Sequence, residues 1–119
     1  MTTDITTDSN VSTTSRPIYV EDASELSSLV DTHDVVLVDF FATWCGPCQM
    51  LDPILGGLAA ELDAVIAKVD VDQHQQLAGE FGVRGVPTLV LFAGGEQVER
   101  LVGVPPADQL RSLLEDHAN

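Results

Sequence analysis

Lysine is almost missing from this chain: Lys68 is the only one in 119 residues. With the arginines it makes five basic residues against 19 acidic ones, a formal net charge of −14. Such a surface repels phosphate backbones and anionic lipids instead of releasing their counterions, so no nucleic-acid or membrane partner is expected. Long apolar runs are missing too, and none approaches the roughly eighteen residues of a membrane span. The opening stretch MTTDITTDSNVSTTSRP has neither a basic segment nor an apolar one, so no secretory leader is read in it and a cytoplasmic location is expected. Cysteine occurs only twice, at Cys45 and Cys48, but with 45% hydrophobic residues the chain can bury a core without disulfides or metals to hold it. No glycine-rich nucleotide fingerprint is present, so no bound cofactor is implied.

What is present fits one domain. Residues 1–16 contain six threonines and three serines, with Ile5 and Val11 the only apolar residues after Met1. That composition cannot offset the entropy of ordering, so a flexible polar tail is expected ahead of a domain spanning 17–119. PIYV reads as a short strand. DASELSSLVDTH reads as a helix capped by Asp22, with Glu25 three residues on and Leu26, Leu29 and Val30 on one face. VVLVDFF is a continuous apolar run, as a central parallel strand buried on both faces would be. A helix follows from about Cys45 or Gly46 to Leu62, with Met50, Leu51, Ile54, Leu55, Leu58 and Leu62 on its apolar face and a kink expected at Pro53. AVIAKVDV is the next buried strand, and Asp72 is expected to cap the short helix QHQQLAGEF. TLVLFA and EQVERLVG are joined by two glycines, a hairpin signal. PPADQLRSLLEDHAN closes the chain as a helix, with Pro106 near its first turn and Leu110, Leu113 and Leu114 facing inward. The order β-α-β-α-β-α-β-β-α calls for parallel strands with crossover helices, then an antiparallel hairpin.

The chemistry concentrates in VDFFATWCGPCQM. Two thiols at this spacing could hold half a metal site, form an inert staple or exchange electrons. A metal needs four ligands, yet His33, His74 and His117 are scattered without ligand spacing and are expected on the solvated surface, so no metal is assigned. A four-residue loop removes little entropy from the unfolded chain, which argues against a staple. Exchange is favoured, because Cys45 falls at a helix start, where unpaired N–H groups lower a thiol pKa. Cys48, three residues on, lies within disulfide reach and is expected to be more buried. Gly46 lets a partner's backbone approach, and Pro47 stiffens the first turn. Asp39, inside the apolar run, either turns outward at a sheet end or is a buried acid whose raised pKa lets it take the proton of Cys48. Lys68, in the neighbouring strand, either faces solvent or pairs with that acid. Pro87 marks the start of a strand and a possible cis bond.

VDFFATWCGPCQMLDPIL, AKVDVD, FGVRGVPTLVLF and LVGV together resemble the thioredoxin family, in that order and at its spacings, over roughly residues 17 to 117. The resemblance implies an α/β fold with a central mixed five-stranded sheet flanked by helices on both faces. It makes Cys45 the attacking nucleophile and Cys48 the resolving thiol, and it matches Asp39 and Lys68 to the family's buried acid and lysine. Pro87 matches the cis-proline opposite the disulfide, with the backbone of Val86 pairing with an extended substrate. Trp44, Gly46, Pro47, Val86 and Gly103 match the apolar rim that substrates touch. Phe41 stands where the family often has tryptophan, and Gln49 where it often has a basic residue.

The expected function is reduction of protein disulfides by dithiol–disulfide exchange. The partners implied are disulfide-containing proteins and a thioredoxin reductase or equivalent donor, because electrons must come from outside; a monomer is expected. The alternatives are an oxidant or isomerase of the same fold and a non-catalytic interaction module. The acid-rich, lysine-poor composition resembles that of proteins from salt-accumulating halophiles, whose self-repulsion is relieved once the Debye length falls to about 3 Å at 1 M salt. Dialysis into low salt is accordingly expected to lower Tm in a thermal melt; a Tm indifferent to salt would remove the halophile reading.

Overall fold

The run VVLVDFF forms the centre of the molecule. In a computed structural model, which describes residues 15–62 and 64–118, it is strand β2 (Val35–Phe41), buried at all seven positions. The other strands are β1 (Ile18–Tyr19), β3 (Val65–Asp70), β4 (Thr88–Ala93) and β5 (Glu96–Val102). The helices among the described residues are α1 (Ala23–Thr32), α2 (Gly46–Glu61), α3 (Gln75–Glu80) and α4 (Ala107–Ala118). Apart from Ser15 and Arg16, the tail expected over residues 1–16 lies outside the described residues.

The sheet order is β1-β3-β2-β4-β5. β1 and β2 both run parallel to β3, while β4 runs antiparallel to β2 and to β5. The α/β order expected from the sequence is therefore present, and the sheet is mixed. The turn between β4 and β5 uses Gly94 and Gly95, both at positive φ (62° and 85°), a conformation glycine adopts without steric cost.

Alternation along β2 and β3 divides the core into two layers. Val36, Val38 and Phe40 join Val65, Ala67 and Val69 against Leu26 and Val30 of α1 and Leu77 and Ala78 of α3. On the opposite face, Val35, Leu37 and Ile66 pack against Leu51, Leu55 and Leu58 of α2 and Leu110 and Leu114 of α4. By the same alternation, Asp39 and Lys68 point to the α2 face. Their Cα atoms are paired in the β2–β3 register, which sets the two side chains next to each other.

The ends of the helices follow local chemistry. Asp22 Oδ1 accepts the amide of Glu25 at 2.8 Å, as its spacing led one to expect, but the Glu25 carboxylate accepts the amide of Glu21 instead of closing a box on Asp22. α2 continues through Pro53 as one helix. Met50, expected on its apolar face, is 68% exposed. The buried stripe runs through Cys48, Leu51, Leu55, Leu58 and Ala59, and Met50 falls one step off it. The short helix α3 begins at Gln75 with His74 before it, so Asp72 is not its cap. The three histidines are each half-buried instead of fully solvated, at the ends of α1 and α4 and before α3. Among the described residues no helix is long and apolar enough to cross a membrane.

Leu51 and Leu55 are both fully buried, so Leu55→Ala leaves a cavity between α2 and the sheet. A loss of about 2–5 kcal/mol in urea-induced unfolding is expected, with no change in m-value. A loss below about 1 kcal/mol would show that this face collapses around the gap.

Candidate active site

The active-site stretch is built where β2 runs out. Past Phe41 the backbone turns, the Cys45 amide donates to the Ala42 carbonyl at 3.2 Å, and Cys45 becomes the residue that caps α2. Its sulfur accepts the amide of Cys48 at 3.1 Å. That donor is one of the unpaired N–H groups of a helix start, and it would favour a thiolate there once the pair is reduced. Pro47 occupies the first turn, where it forfeits no helical hydrogen bond. Cys45 and Cys48 are joined as a disulfide, with Cα atoms 5.2 Å apart.

The two cysteines differ less in burial than the sequence suggested: Cys45 is 4% exposed and Cys48 2%. They differ in what they face. Cys45 lines a cleft of about 430 Å³ together with Trp44, Gly46, Pro47, Val86 and Arg84. Cys48 lines a separate groove of about 410 Å³ with Tyr19, Phe41, Gln49 and Asp52.

The opposite wall of the first cleft comes from the start of β4. Val86–Pro87 is a cis peptide, and the Val86 carbonyl oxygen lies 3.7 Å from Cys45 Sγ. The Thr88 hydroxyl donates to the Gly85 carbonyl at 2.7 Å and closes this turn. The Gly103 amide donates to the Pro87 carbonyl at 2.9 Å. Gly103 has φ +96°, a left-handed conformation, so the residue after β5 can turn back towards the cis-proline. Trp44, Gly46, Pro47 and Val86 thus share the cleft, while Pro87 is buried and Gly103 is tied to it from β5.

Trp44 is 70% exposed, and its indole N–H donates to Asp72 Oδ2 at 2.8 Å. Asp72 is therefore a rim residue that sequence reasoning misassigned as a helix cap. Gln49 is exposed and donates through its side-chain amide to the Thr43 carbonyl, bracing the turn before the disulfide.

A buried charged pair sits on the α2 face of the sheet. Asp39 is fully buried, and Lys68, 2% exposed, donates to its Oδ2 at 3.0 Å. Asp39 Oδ1 has no partner among the described residues. Burial pushes the Asp39 carboxyl above its ordinary range, and the attraction and hydrogen bond of Lys68 only partly oppose this. Burial pulls the Lys68 ammonium down, but the carboxylates around it outweigh burial and hold its pKa up. Phe41 lies over this ammonium, with the ring centroid 4.5 Å from Nζ. The smaller aromatic at the position where the family often has tryptophan therefore meets the lysine of the charged pair. Lys68 has a second partner that the sequence reading overlooked: it also hydrogen-bonds the carboxylate of Asp52, one turn beyond Cys48 on α2. An acid at that spacing from a cysteine was the available signal. Among the described residues no group of three or more His, Cys, Asp or Glu side chains could hold a metal ion.

Comparison with known proteins agrees with this geometry. The thioredoxin family model matches residues 17–116. Thioredoxin from Chlamydia caviae is 44% identical over 102 residues, covering 85% of this chain and 99% of the relative. A bifunctional thioredoxin reductase/thioredoxin from Mycobacterium leprae is 44% identical over 101 residues, which is 83% of this chain and 22% of that longer protein. Among solved structures, a mutant thioredoxin from Halobacterium salinarum NRC-1 superposes with a TM-score of 0.87 at 52% identity, covering 90% of this chain and 95% of its own. The chain belongs to the thioredoxin family and is a thiol–disulfide oxidoreductase whose redox pair is Cys45 and Cys48.

Proposed function

We propose that the enzyme reduces disulfides in other proteins by a two-step exchange in which Cys45, Cys48, Asp39 and Lys68 have separate roles. The observation that carries this reading is Cys45 at the cap of α2, its sulfur taking the Cys48 amide and facing the cleft beside Val86. In the first step the Cys45 thiolate attacks one sulfur of the substrate disulfide. A mixed disulfide forms and one substrate thiolate leaves. In the second step Cys48 gives its proton to Asp39, through an intervening water, and attacks Cys45 Sγ. The second substrate thiolate leaves and the Cys45–Cys48 disulfide forms, so two electrons have passed to the substrate.

Asp39 suits the proton-accepting role because burial strengthens it as a base and Oδ1 is left without a protein donor. Lys68 limits the cost of burying the resulting charge. Trp44, Gly46, Pro47 and Val86 present an apolar cleft wall to an extended substrate segment, the Val86 backbone pairing with it, while Pro87 and Gly103 hold that wall in place. No bound cofactor is proposed; an external thioredoxin reductase or equivalent donor returns the pair to the dithiol. The Mycobacterium leprae relative, named as reductase and thioredoxin in one chain, supports such a pairing. We assign the domain to residues 17–119, with 1–16 as a polar extension. The protein would act as a cytoplasmic monomer, and its likeness to a Halobacterium thioredoxin supports a high-salt setting.

Insulin reduction by dithiothreitol tests the roles. Wild type should accelerate turbidity, and Cys45→Ser should fall to the uncatalysed rate; full acceleration by that variant would sink the mechanism. Cys48→Ser should hold substrates as mixed disulfides that dithiothreitol releases, whereas recovery of non-covalent partners alone would favour a docking role. Asp39→Asn should slow turnover by about 10-fold or more at neutral pH.

The same substitution has a stability signature. Because the folded state holds the Asp39 proton more tightly than the unfolded chain, the stability attached to this group is complete below the unfolded-state pKa. It is lost as pH rises through the folded-state pKa. Lys68 stays protonated across that window. Asp39→Asn should therefore melt a few degrees above wild type at neutral pH, with a gap that widens from acidic to neutral pH. A gap that does not widen would contradict the raised carboxyl.

A further inference from the structure

Lys68 is shared between two carboxylates in very different surroundings. Asp39 is fully buried in β2, whereas Asp52 is half exposed on α2. Asp52 follows Cys48 by four residues, so both side chains lie on one helix face, and both line the same groove. The ammonium between them sits beneath the rings of Phe41 and Tyr19, at 4.5 and 5.7 Å from the two centroids. Cys45 meets substrate in one cleft, while Cys48 and the Lys68 ion pairs belong to the other side of the disulfide.

We propose that Asp52 is a positioning residue for the exchange reaction: it holds the Lys68 ammonium towards the groove mouth and so sets how strongly Asp39 takes up the proton of Cys48. The proposal rests on Asp39 being the proton acceptor. One cation serving two acids neutralises neither completely. Drawing Lys68 towards Asp52, and adding a second negative charge nearby, makes an ionised Asp39 costlier and hence a stronger base. The titratable groups acting on Asp39 are Lys68 from β3 and Asp52 from α2, while Cys48 of α2, Tyr19 of β1 and Asp70 of β3 line the groove that Asp52 shares. Its β4 neighbour in the sheet, Leu89, is apolar. Because Asp52 reaches solvent and Asp39 does not, salt screens the outer carboxylate far more than the inner pair. The basicity of the buried acid is thereby coupled to ionic strength.

The test compares reduced wild type with Asp52→Asn and Asp52→Glu. The Asp39 carboxyl carbon is followed by NMR against pH, in dilute and in concentrated potassium chloride, beside the pH profile of insulin reduction with Asp39→Asn as control. In Asp52→Asn, the Asp39 titration and the acid limb of the profile should move to lower pH by about half a unit or more. Asp52→Glu should restore both. Concentrated salt should move wild type in the same direction and leave Asp52→Asn where it was. An Asp39 titration unchanged in Asp52→Asn overturns the proposal, as does a salt shift of equal size in the two proteins. If Asp39→Asn keeps the wild-type profile, the proton-acceptor reading itself fails, whatever Asp52→Asn does. Asp52 is exposed and away from the core clusters, so its substitution leaves the fold standing for each measurement.

Discussion

A carboxylate in the middle of a strand buried at every position constrains everything built around it. An ionised Asp39 can be held only if a cation reaches it from a neighbouring element, and the parallel register of β2 on β3 supplies Lys68. A slip of one residue would turn Asp39 to the face of Val36, Val38 and Phe40, where the described packing is apolar. The pair therefore ties register to chemistry: the alignment that completes both core layers also turns the acid to the face covered by α2, the helix that carries Cys48. Such pairs do not by themselves stabilise a fold, because the desolvation cost can exceed the Coulombic gain. Here the residual cost is visible as a carboxyl held above its ordinary range.

Much of this was legible in the chain itself. The bounds of β2, the two cysteines at a helix start and a lone lysine in the next strand can be read from short-range patterns, because strand alternation and helix capping are local physics. The strand order, with β1 beside β3 and β4 seated antiparallel on β2, could not be read from such patterns, because pairing across a sheet is set by contacts between distant segments. What could not be read locally depends on side chains reaching across elements. Asp72 looks like a cap in isolation, but the indole of Trp44, 28 residues away, competes for its carboxylate. Asp52 looks like a solvated helix position until Lys68 is seen to reach it from the sheet. Met50 was misplaced for a different reason: the apolar stripe of α2 is narrower than its composition suggests.

The division of the disulfide between two openings separates two demands on one small site. In the proposed mechanism the Cys45 side accepts a polypeptide, and it offers Trp44, Pro47 and Val86 with a single basic residue, Arg84, on a strongly acidic molecule. The Cys48 side moves a proton in that proposed mechanism, and it is lined by Tyr19, Gln49, Asp52 and Asp70. Aromatic rings lie over Lys68 and attract its charge without removing it. Substrate binding and proton management can then vary separately, through different residues.

The indole of Trp44 is the chain's only one, exposed on the rim and tethered to Asp72. Tryptophan emission from this protein is consequently a local signal. It reports on the mouth of the Cys45 cleft, not on the two hydrophobic layers, neither of which contains a tryptophan. A melting curve followed at this wavelength can register loosening of the rim while the sheet is intact. Only agreement with a backbone probe such as circular dichroism would establish that the whole domain unfolds in one step.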